Sequence, residues 1–242
     1  MDFSAPETLA AVAIAAVAGV VRGITGFGGA MVMAPPLALF LGPRLTVPVV
    51  LLLEGVAALP MVWQTRRLVR WRVIGPIILA ACATVVIGGY VLVSADPQSL
   101  RRAIAATVIV FALLLLRGWR YAGPQRLVTS VGLGGLSGVM IGATSIGAPP
   151  VILYLLSGPD PVHTTRANLT LFLAASSLAC LAILWWNAVL NAAAVTLAVL
   201  LAPGYYGGLL AGTRLFARFN DARFRQFTLL LLIVVSAGIL LA

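Results

Sequence analysis

The chain of 242 residues has few charged residues and few of the side chains on which most enzymes and metal sites depend. Only 9% of its residues are charged, whereas about a quarter are charged in a soluble domain. It has one histidine and two cysteines, and no nucleotide-binding loop, zinc-ligand spacing, HExxH or GxSxG motif. These absences argue against an enzyme, and we expect no catalytic residue, no metal and no cofactor.

Lysine is absent altogether, since all sixteen basic residues are arginine. The net charge of +10 does not indicate nucleic-acid binding, because no soluble domain carries it. The arginines stand in short runs between apolar stretches, as expected for loops on the cytoplasmic face of a membrane. With 62% hydrophobic residues and a mean hydropathy of +1.10, the composition predicts an all-α polytopic protein of the lipid bilayer.

The two halves of the chain share an order of features that predicts a duplication. Each half has a glycine-rich break, a proline pair, a Gly-Pro step, long helices, a charged connection and a final helix. An offset of 116 aligns Gly26 with Gly142, whereas the proline pairs align only with a two-residue gap. We expect a first repeat over residues 1–122 and a second over residues 123–242, as in many transporters.

Six long apolar runs predict helices of about the 20 residues that cross a bilayer. They lie at 46–64, 73–94, 102–117, 167–186, 189–212 and 226–242. Two further apolar stretches, 8–42 and 128–157, are interrupted by glycine-rich breaks at 23–29 and 142–147. The pieces beside each break have about 9 to 14 residues, so at ~1.5 Å per residue neither piece is expected to cross alone.

Arginine placement decides between two arrangements of the interrupted stretches. If each stretch crosses once as a broken helix, eight arginines face one side and seven the other, which violates the positive-inside tendency. If each is a re-entrant hairpin, twelve arginines share one face and only Arg44, Arg101 and Arg102 lie opposite. The hairpin arrangement is therefore favoured, and it gives each repeat one hairpin plus three spans, so that the two repeats are inverted.

The breaks are candidate walls of a binding site, because non-helical backbone at membrane depth is tolerated only where it is buried in protein or lines a wet cavity. Helices that restart near Gly29 and Ala148 direct their N-terminal amides at the breaks, which suits an anion. The alternative is that the glycines only allow close helix packing. The candidate substrate-binding residues in and after the breaks are Thr25, Gly26, Gly28, Gly29, Thr144, Ser145, Gly147 and Asn168; Asn187, Tyr205 and Tyr206 are further polar groups that a cavity could use.

Two ionisable side chains lie inside apolar stretches, Arg22 before the first break and Glu54 in the middle of a predicted helix. Burying either costs at least ~2.5 kcal/mol, so each needs a partner or a purpose. We expect Arg22 to attract an anionic substrate, and Glu54 to bind a coupling proton or to hold Arg22 when no substrate is bound. The alternative is a purely structural pair.

Several motifs in this chain resemble those of one transporter family. They are Gly26-Phe27-Gly28-Gly29 followed by Pro35-Pro36 and Gly42, a second copy from Gly142 to Gly158, and Arg70-Trp71 before a glycine-containing helix. From about residue 10 to residue 240 the chain resembles the TauE/SafE sulfite exporter family, the 4-toluene sulfonate uptake permease group. The resemblance implies a multi-pass carrier of the bacterial inner membrane for sulfite, sulfoacetate or another organosulfonate, with the glycine motif on Gly26, Gly28 and Gly29.

The sequence therefore predicts a secondary transporter of a small sulfur-containing anion, in which one half rocks against the other. We expect a proton as the coupling ion, the lipid bilayer as a partner and no nucleic acid. The sequence is compatible with an oligomer. A carrier of another small organic anion, and a passive channel-like or structural membrane protein, are the alternatives.

Overall fold

The computed structural model describes residues 5–119, 121, 123, 125–158, 160–216, 233, 236 and 237, and this part of the chain is built of helices. The main helices are α1 (Ala5–Thr25), α2 (Gly29–Leu41), α3 (Pro43–Thr65), α4 (Trp71–Ser94), α5 (Pro97–Leu116), α6 (Leu127–Thr144), α7 (Ala148–Leu155), α8 (Val162–Trp186) and α9 (Ala192–Phe216). A short 3-10 turn at Arg66–Leu68 follows α3.

The prediction of an all-α polytopic membrane protein is confirmed. Seven of the described helices are long and apolar enough to cross a membrane, and only α2 and α7, with 13 and 8 residues, fall short. The predicted helix at 226–242 lies almost wholly outside the described residues. So do four of the arginines assigned to loops, Arg120, Arg218, Arg223 and Arg225.

The expectation that neither piece beside a break can cross alone is wrong for α1 and α6. These helices have 21 and 18 residues, or roughly 31 and 27 Å at ~1.5 Å per residue. They continue through Gly23 and Gly142, which were expected to lie within the breaks. A Cβ on Gly23 would collide with the backbone of α9, and one on Gly142 with the backbone of α4. Close helix packing therefore overrides the low helix propensity of glycine at both positions.

The two ends of the helix bundle can be distinguished by their arginines. One end, which we call the arginine-poor face, holds the start of α3, the end of α4, the start of α5 and the connection from α8 to α9, which together line one cavity of about 490 Å³. Arg44, Arg101 and Arg102 lie at this face. The opposite end is the arginine-rich face; among the described residues it holds Arg66, Arg67, Arg70, Arg72, Arg117, Arg126, Arg166 and Arg214.

Each interrupted stretch returns to the face on which it begins. Helix α1 runs parallel to α9, away from the arginine-poor face, and α2 brings the chain back to that face at Gly42. Helix α6 runs parallel to α4, away from the arginine-rich face. Helix α7 then ends beside the start of α6, where Ser130 and Tyr154 bond through their hydroxyls. Both stretches are therefore hairpins rather than helices that cross once.

Glycines pack two pairs of parallel helices tightly together, and each pair joins the two halves of the chain. In the first pair, α1 lies against α9, and in the second, α4 lies against α6. The facing residues are Val12 and Gly204, Ala16 and Gly208, and Val20 and Gly212 in the first pair, and Ile77 and Gly134, and Ala81 and Gly138, in the second. At these glycines any Cβ would meet the backbone of the partner helix.

Candidate functional site

A buried cavity lies where the two breaks meet, next to the middle of α3 and α8. It is lined by Gly28, Ala30, Met31, Leu51, Glu54, Ile141, Ser145, Ile146, Gly147, Ala148, Pro149, Leu173 and Ser177. Its volume of about 20 Å³ accommodates roughly one water molecule. A ligand of several non-hydrogen atoms must therefore enlarge the cavity before it can bind here.

The same pattern of hydrogen bonds, which we call the threonine scaffold, is found at each of the two breaks. The hydroxyl of Thr25, the last residue of α1, donates to the Val21 carbonyl at 2.9 Å, and the Phe27 amide donates to Thr25 Oγ1 at 3.3 Å. At the end of α6 the hydroxyl of Thr144 donates to the Met140 carbonyl at 2.7 Å, and the Ile146 amide donates to Thr144 Oγ1 at 3.2 Å. The threonine side chain ends each helix and directs the chain into the break.

This scaffold makes Ser145, and not Gly142, the counterpart of Gly26. Both follow the threonine and both adopt positive φ, 78° at Gly26 and 61° at Ser145. The offset of 116 therefore does not hold at the breaks. The proline pairs do not correspond either, because Pro35 and Pro36 lie inside α2 whereas Pro149 and Pro150 stand in the first turn of α7.

The glycines of the first break are required by their surroundings as well as by their backbone angles. Gly26 packs against the guanidinium of Arg166, and a Cβ there would lie 2.8 Å from its Nε. Gly28 has a φ of 91°, which side-chain-bearing residues rarely adopt. At Gly29 a Cβ would overlap the Glu54 carboxylate and lie 3.1 Å from the Tyr205 hydroxyl.

Arg22 and Glu54 form a buried ion pair beside the start of α2. Arg22 Nε lies 3.3 Å from Glu54 Oε2, and both side chains are almost completely buried. The Tyr205 hydroxyl of α9 donates to Glu54 Oε1 at 2.8 Å, and the Tyr206 hydroxyl donates to the Leu53 carbonyl at 3.1 Å. Two buried charges are tolerated in this way only when they are paired and hydrogen-bonded.

The two charges differ in their position relative to the cavity. Glu54 lines it, whereas Arg22 lies behind Glu54 and outside the lining. The guanidinium of Arg22 also reaches back to the break, since its Nη1 donates to the Gly26 carbonyl at 2.6 Å. Its Nε and Nη2 have no hydrogen-bond partner among the described residues. The cavity therefore meets a carboxylate first, and the cation stands one layer behind it.

The two short helices restart where the sequence predicts, at Gly29 and Ala148, but they offer different donors to the cavity. The first three residues of α2 all carry an N–H, and the first helical bond from this turn runs from the Val32 amide to the Gly28 carbonyl at 3.1 Å. In α7 the second and third residues are Pro149 and Pro150, which have no N–H. The start of α2 therefore offers more free N–H donors than the start of α7.

The remaining predicted polar groups lie in different places. Ser145 lines the cavity, and its hydroxyl donates to the Thr144 carbonyl at 2.5 Å. Asn168 is fully buried but lies toward the arginine-rich face, where its Oδ1 accepts from the Arg70 amide at 2.8 Å. Arg70 also pairs with Asp160. The structure therefore brings Arg22, Glu54 and both breaks together, while Asn168 joins the connections at one face.

Ser177 is a side chain of the cavity lining that the sequence did not single out, and Tyr205 was named only as a polar group that a cavity could use, without a partner. The hydrogen bond from Tyr205 to Glu54 joins residues 151 positions apart, so no local spacing indicates it. Among the described residues, no group of three or more histidine, cysteine, aspartate or glutamate side chains could hold a metal ion.

Comparison with known proteins gives one match. The family model described as Sulfite exporter TauE/SafE matches residues 11–239, which is nearly the whole chain. No curated protein and no solved structure shows a significant match.

Proposed function

The chain belongs to the TauE/SafE sulfite exporter family, a family of membrane transporters, and on that premise we propose that it is a secondary transporter of a small sulfur-containing anion. Sulfite, sulfoacetate and other organosulfonates are the expected substrates. The observation that carries the proposal is that two helix breaks meet at one buried cavity beside a buried ion pair. Paired broken helices around a central site are typical of ion-coupled carriers.

The two repeats, 1–122 and 123–242, are proposed to have opposite orientations. In support, α1 begins at the arginine-poor face and α6 at the arginine-rich face. The first helix of each repeat also packs on the helix at the equivalent place in the other repeat: α1 packs on α9, and α6 packs on α4. A two-fold axis in the membrane plane would relate such packings, as it does in inverted-repeat carriers.

The bodies that move during alternating access are proposed to mix the two halves. Rocking one half against the other would slide the two glycine-packed pairs, in which backbones touch and leave little room for adjustment. Spin labels on the exposed residues Leu9, Leu79 and Leu200 test this. Substrate should change the distance between Leu9 and Leu79 and leave that between Leu9 and Leu200 unchanged; the reverse result would favour rocking of the halves.

The substrate site is proposed to use the first break most directly, through Gly26, Gly28, Gly29 and the amides at the start of α2. Arg22 supplies the positive charge and Thr25 fixes the break. Thr144, Ser145 and Gly147 form the opposite wall, and Asn168 lies on the route toward the arginine-rich face. Enlargement of the cavity would bring the anion close to these groups, since backbone amides and a buried guanidinium are strong oxyanion donors.

The coupling ion is proposed to be a proton that binds to Glu54. Glu54 is the one acidic residue in the lining of the cavity among the described residues. Replacing Glu54 with Gln should abolish accumulation driven by a proton gradient in proteoliposomes while passive exchange of anion continues. Retention of gradient-driven accumulation by this variant would argue for a different coupling group, and gradient-independent flux in the wild type would indicate a passive pore.

Ligand binding tests the substrate class. Purified protein should be stabilised against thermal unfolding by sulfite or sulfoacetate more than by sulfate, taurine or acetate, because a ligand that binds the native state raises its stability. The double variant Arg22→Met/Glu54→Gln removes the ion pair without leaving a lone charge and should lose the response. Arg101→Ala, at the arginine-poor face, is the control that should retain it. A response to acetate alone would favour another small organic anion as substrate.

The protein is proposed to reside in the bacterial inner membrane with its arginine-rich face in the cytoplasm. Among the described residues outside the membrane interior, eight arginines lie at that face and three at the other, a bias in the direction of the positive-inside rule. Engineered cysteines near Arg44 and near Arg70 should react with impermeant reagents from opposite sides. Labelling of both from the same side would contradict this topology.

A further inference from the structure

The Glu54 carboxylate stands where an anion would bind. We propose that Glu54 and the substrate anion compete for one site, so that the anion enters only when Glu54 is protonated and withdraws. This inference rests on the proposed function and deepens it, because it makes the entry of anion and proton a single event.

Three groups from three helices converge on the Glu54 carboxylate. Arg22 Nε of α1 is 3.3 Å from Oε2, and the Tyr205 hydroxyl of α9 is 2.8 Å from Oε1. The third group is the start of α2, since the carboxylate lies directly against Gly29. A guanidinium, a hydroxyl donor and a helix N-terminus are the groups from which oxyanion sites are built. In this arrangement the guanidinium and the hydroxyl face a side chain of the protein itself, and the helix start lies against that side chain.

Arg22 has two buried donors without a hydrogen-bond partner among the described residues, although the side chain is only 1% exposed. They are Nε, which lies 3.3 Å from Glu54 Oε2 without a hydrogen bond to it, and Nη2. An unpaired buried donor is costly. A carboxylate has two oxygens, whereas a sulfite or sulfonate group has three. The third oxygen can accept from Nη2, which favours a sulfur oxyanion over a carboxylate at this place.

Charge prevents Glu54 and the anion from sharing the site. The titratable groups that face Glu54 are Arg22 from α1 and Tyr205 and Tyr206 from α9, and the residues that α2, α7 and α8 contribute to the cavity are uncharged. Arg22 is the cation paired with Glu54, and a second cation, Arg166 of α8, packs against Gly26 of the same break. Two negative charges a few ångströms apart in a buried site repel strongly, so an anion displaces a protonated Glu54 and is excluded by an ionised one.

Binding of methanesulfonate as a function of pH tests the competition, with acetate as the matched carboxylate and sulfite as a second ligand. Methanesulfonate stays ionised from mildly acidic to mildly alkaline pH, so any pH dependence belongs to the protein. In the wild type the Kd should rise about tenfold per pH unit once Glu54 is ionised, because one proton is taken up with each anion. In Glu54→Gln the Kd should be independent of pH and, at mildly alkaline pH, at least about tenfold lower than in the wild type.

Asp96→Asn is the matched control, because it also neutralises an acid but lies at the N-cap of α5, where asparagine caps equally well. It should keep the wild-type pH dependence. If Glu54→Gln does not fold, Tyr205→Phe provides the second test. It removes one donor from the carboxylate and should move the pH dependence of binding to higher pH, which a purely structural role would not do.

The outcomes separate the inference from the proposed function. Three results would overturn the competition: weaker anion binding by Glu54→Gln, the wild-type pH dependence of binding in Glu54→Gln, or the wild-type pH profile in Tyr205→Phe. None of them would contradict the proposal that the protein carries a sulfur-containing anion. Failure of the wild type to bind either sulfite or methanesulfonate at any pH would overturn the proposed function, and the competition with it.

Discussion

The two breaks have nearly the same backbone and very different chemistry. Each follows a threonine that caps its own helix, and each passes through a residue with positive φ. Around the first break stand Arg22, Glu54, Tyr205 and Arg166, whereas isoleucine, leucine, proline and serine surround the second. The two breaks therefore share one backbone geometry, while charge is confined to the first. We infer that the first break binds the ions and that the second forms the opposite wall.

Removing Arg22 should give the largest difference in stability between a variant at the first break and a variant in the uncharged part of the cavity lining. Arg22→Met leaves the Glu54 carboxylate buried without a counter-charge, which typically costs about 3 to 5 kcal/mol. Ser177→Ala, in the uncharged part of the cavity lining that α8 contributes, should cost no more than about 1 kcal/mol. Thermal unfolding in detergent measures both. Adding Glu54→Gln to Arg22→Met should restore most of the stability, and a double variant as unstable as the single one would show that charge is not the cause.

A methyl group added at the start of α2 should have the next largest effect. In Gly29→Ala the new Cβ overlaps the Glu54 carboxylate, and overpacking of a buried site costs about 1 to 3 kcal/mol. We expect transport in proteoliposomes to fall severely in this variant. The matched change on the other side, Ala148→Gly, removes a methyl group at the equivalent helix start and should leave transport largely intact. Equal losses in both variants would contradict the assignment of ion binding to the first break.

The threonine caps should behave alike, because they belong to the shared scaffold. Thr25→Val and Thr144→Val each remove a hydroxyl that bonds the backbone at the helix end, and each should cost about 1 kcal/mol of stability. The two losses are measured by the same unfolding assay. A large difference between the two losses of stability would mean that the common hydrogen-bond pattern does not stabilise the two halves equally.

The smallest effect is expected at the residue with positive φ. Ser145→Gly relieves an unfavourable backbone angle but loses the bond from the hydroxyl to the Thr144 carbonyl, so the net change should stay within about 1 kcal/mol. The reverse change in the other copy, Gly26→Ser, brings a Cβ against the Arg166 guanidinium and should be clearly more destabilising. Equal effects would remove this distinction between the breaks.

Local sequence patterns predicted the helical class, the hairpins and the points at which the short helices restart, because charge bias, apolar runs and Pro149-Pro150 are all local signals. The lengths of α1 and α6 were not predictable in this way. Gly23 and Gly142 weaken a helix by intrinsic propensity, and only their contacts with α9 and α4 reveal that they are packing residues. Spacing can suggest that Arg22 and Glu54 pair, and composition singles out Tyr205 as a polar group, but neither reveals that Tyr205 bonds to Glu54 from a distant helix.

The packing of α1 on α9 has a consequence for how the protein is made. Val12 meets Gly204, so the partner of the first helix is synthesised about 190 residues after it, or roughly 10 to 40 s later at ~5–20 residues per second. During that interval the glycine-lined face of α1 has no permanent neighbour in the membrane. Glu54, however, emerges only about 30 residues after Arg22, so the buried cation can be neutralised long before the helix that will cover it exists. The order of residues along the chain thus allows Arg22, the buried cation, to find its counter-charge early in biogenesis.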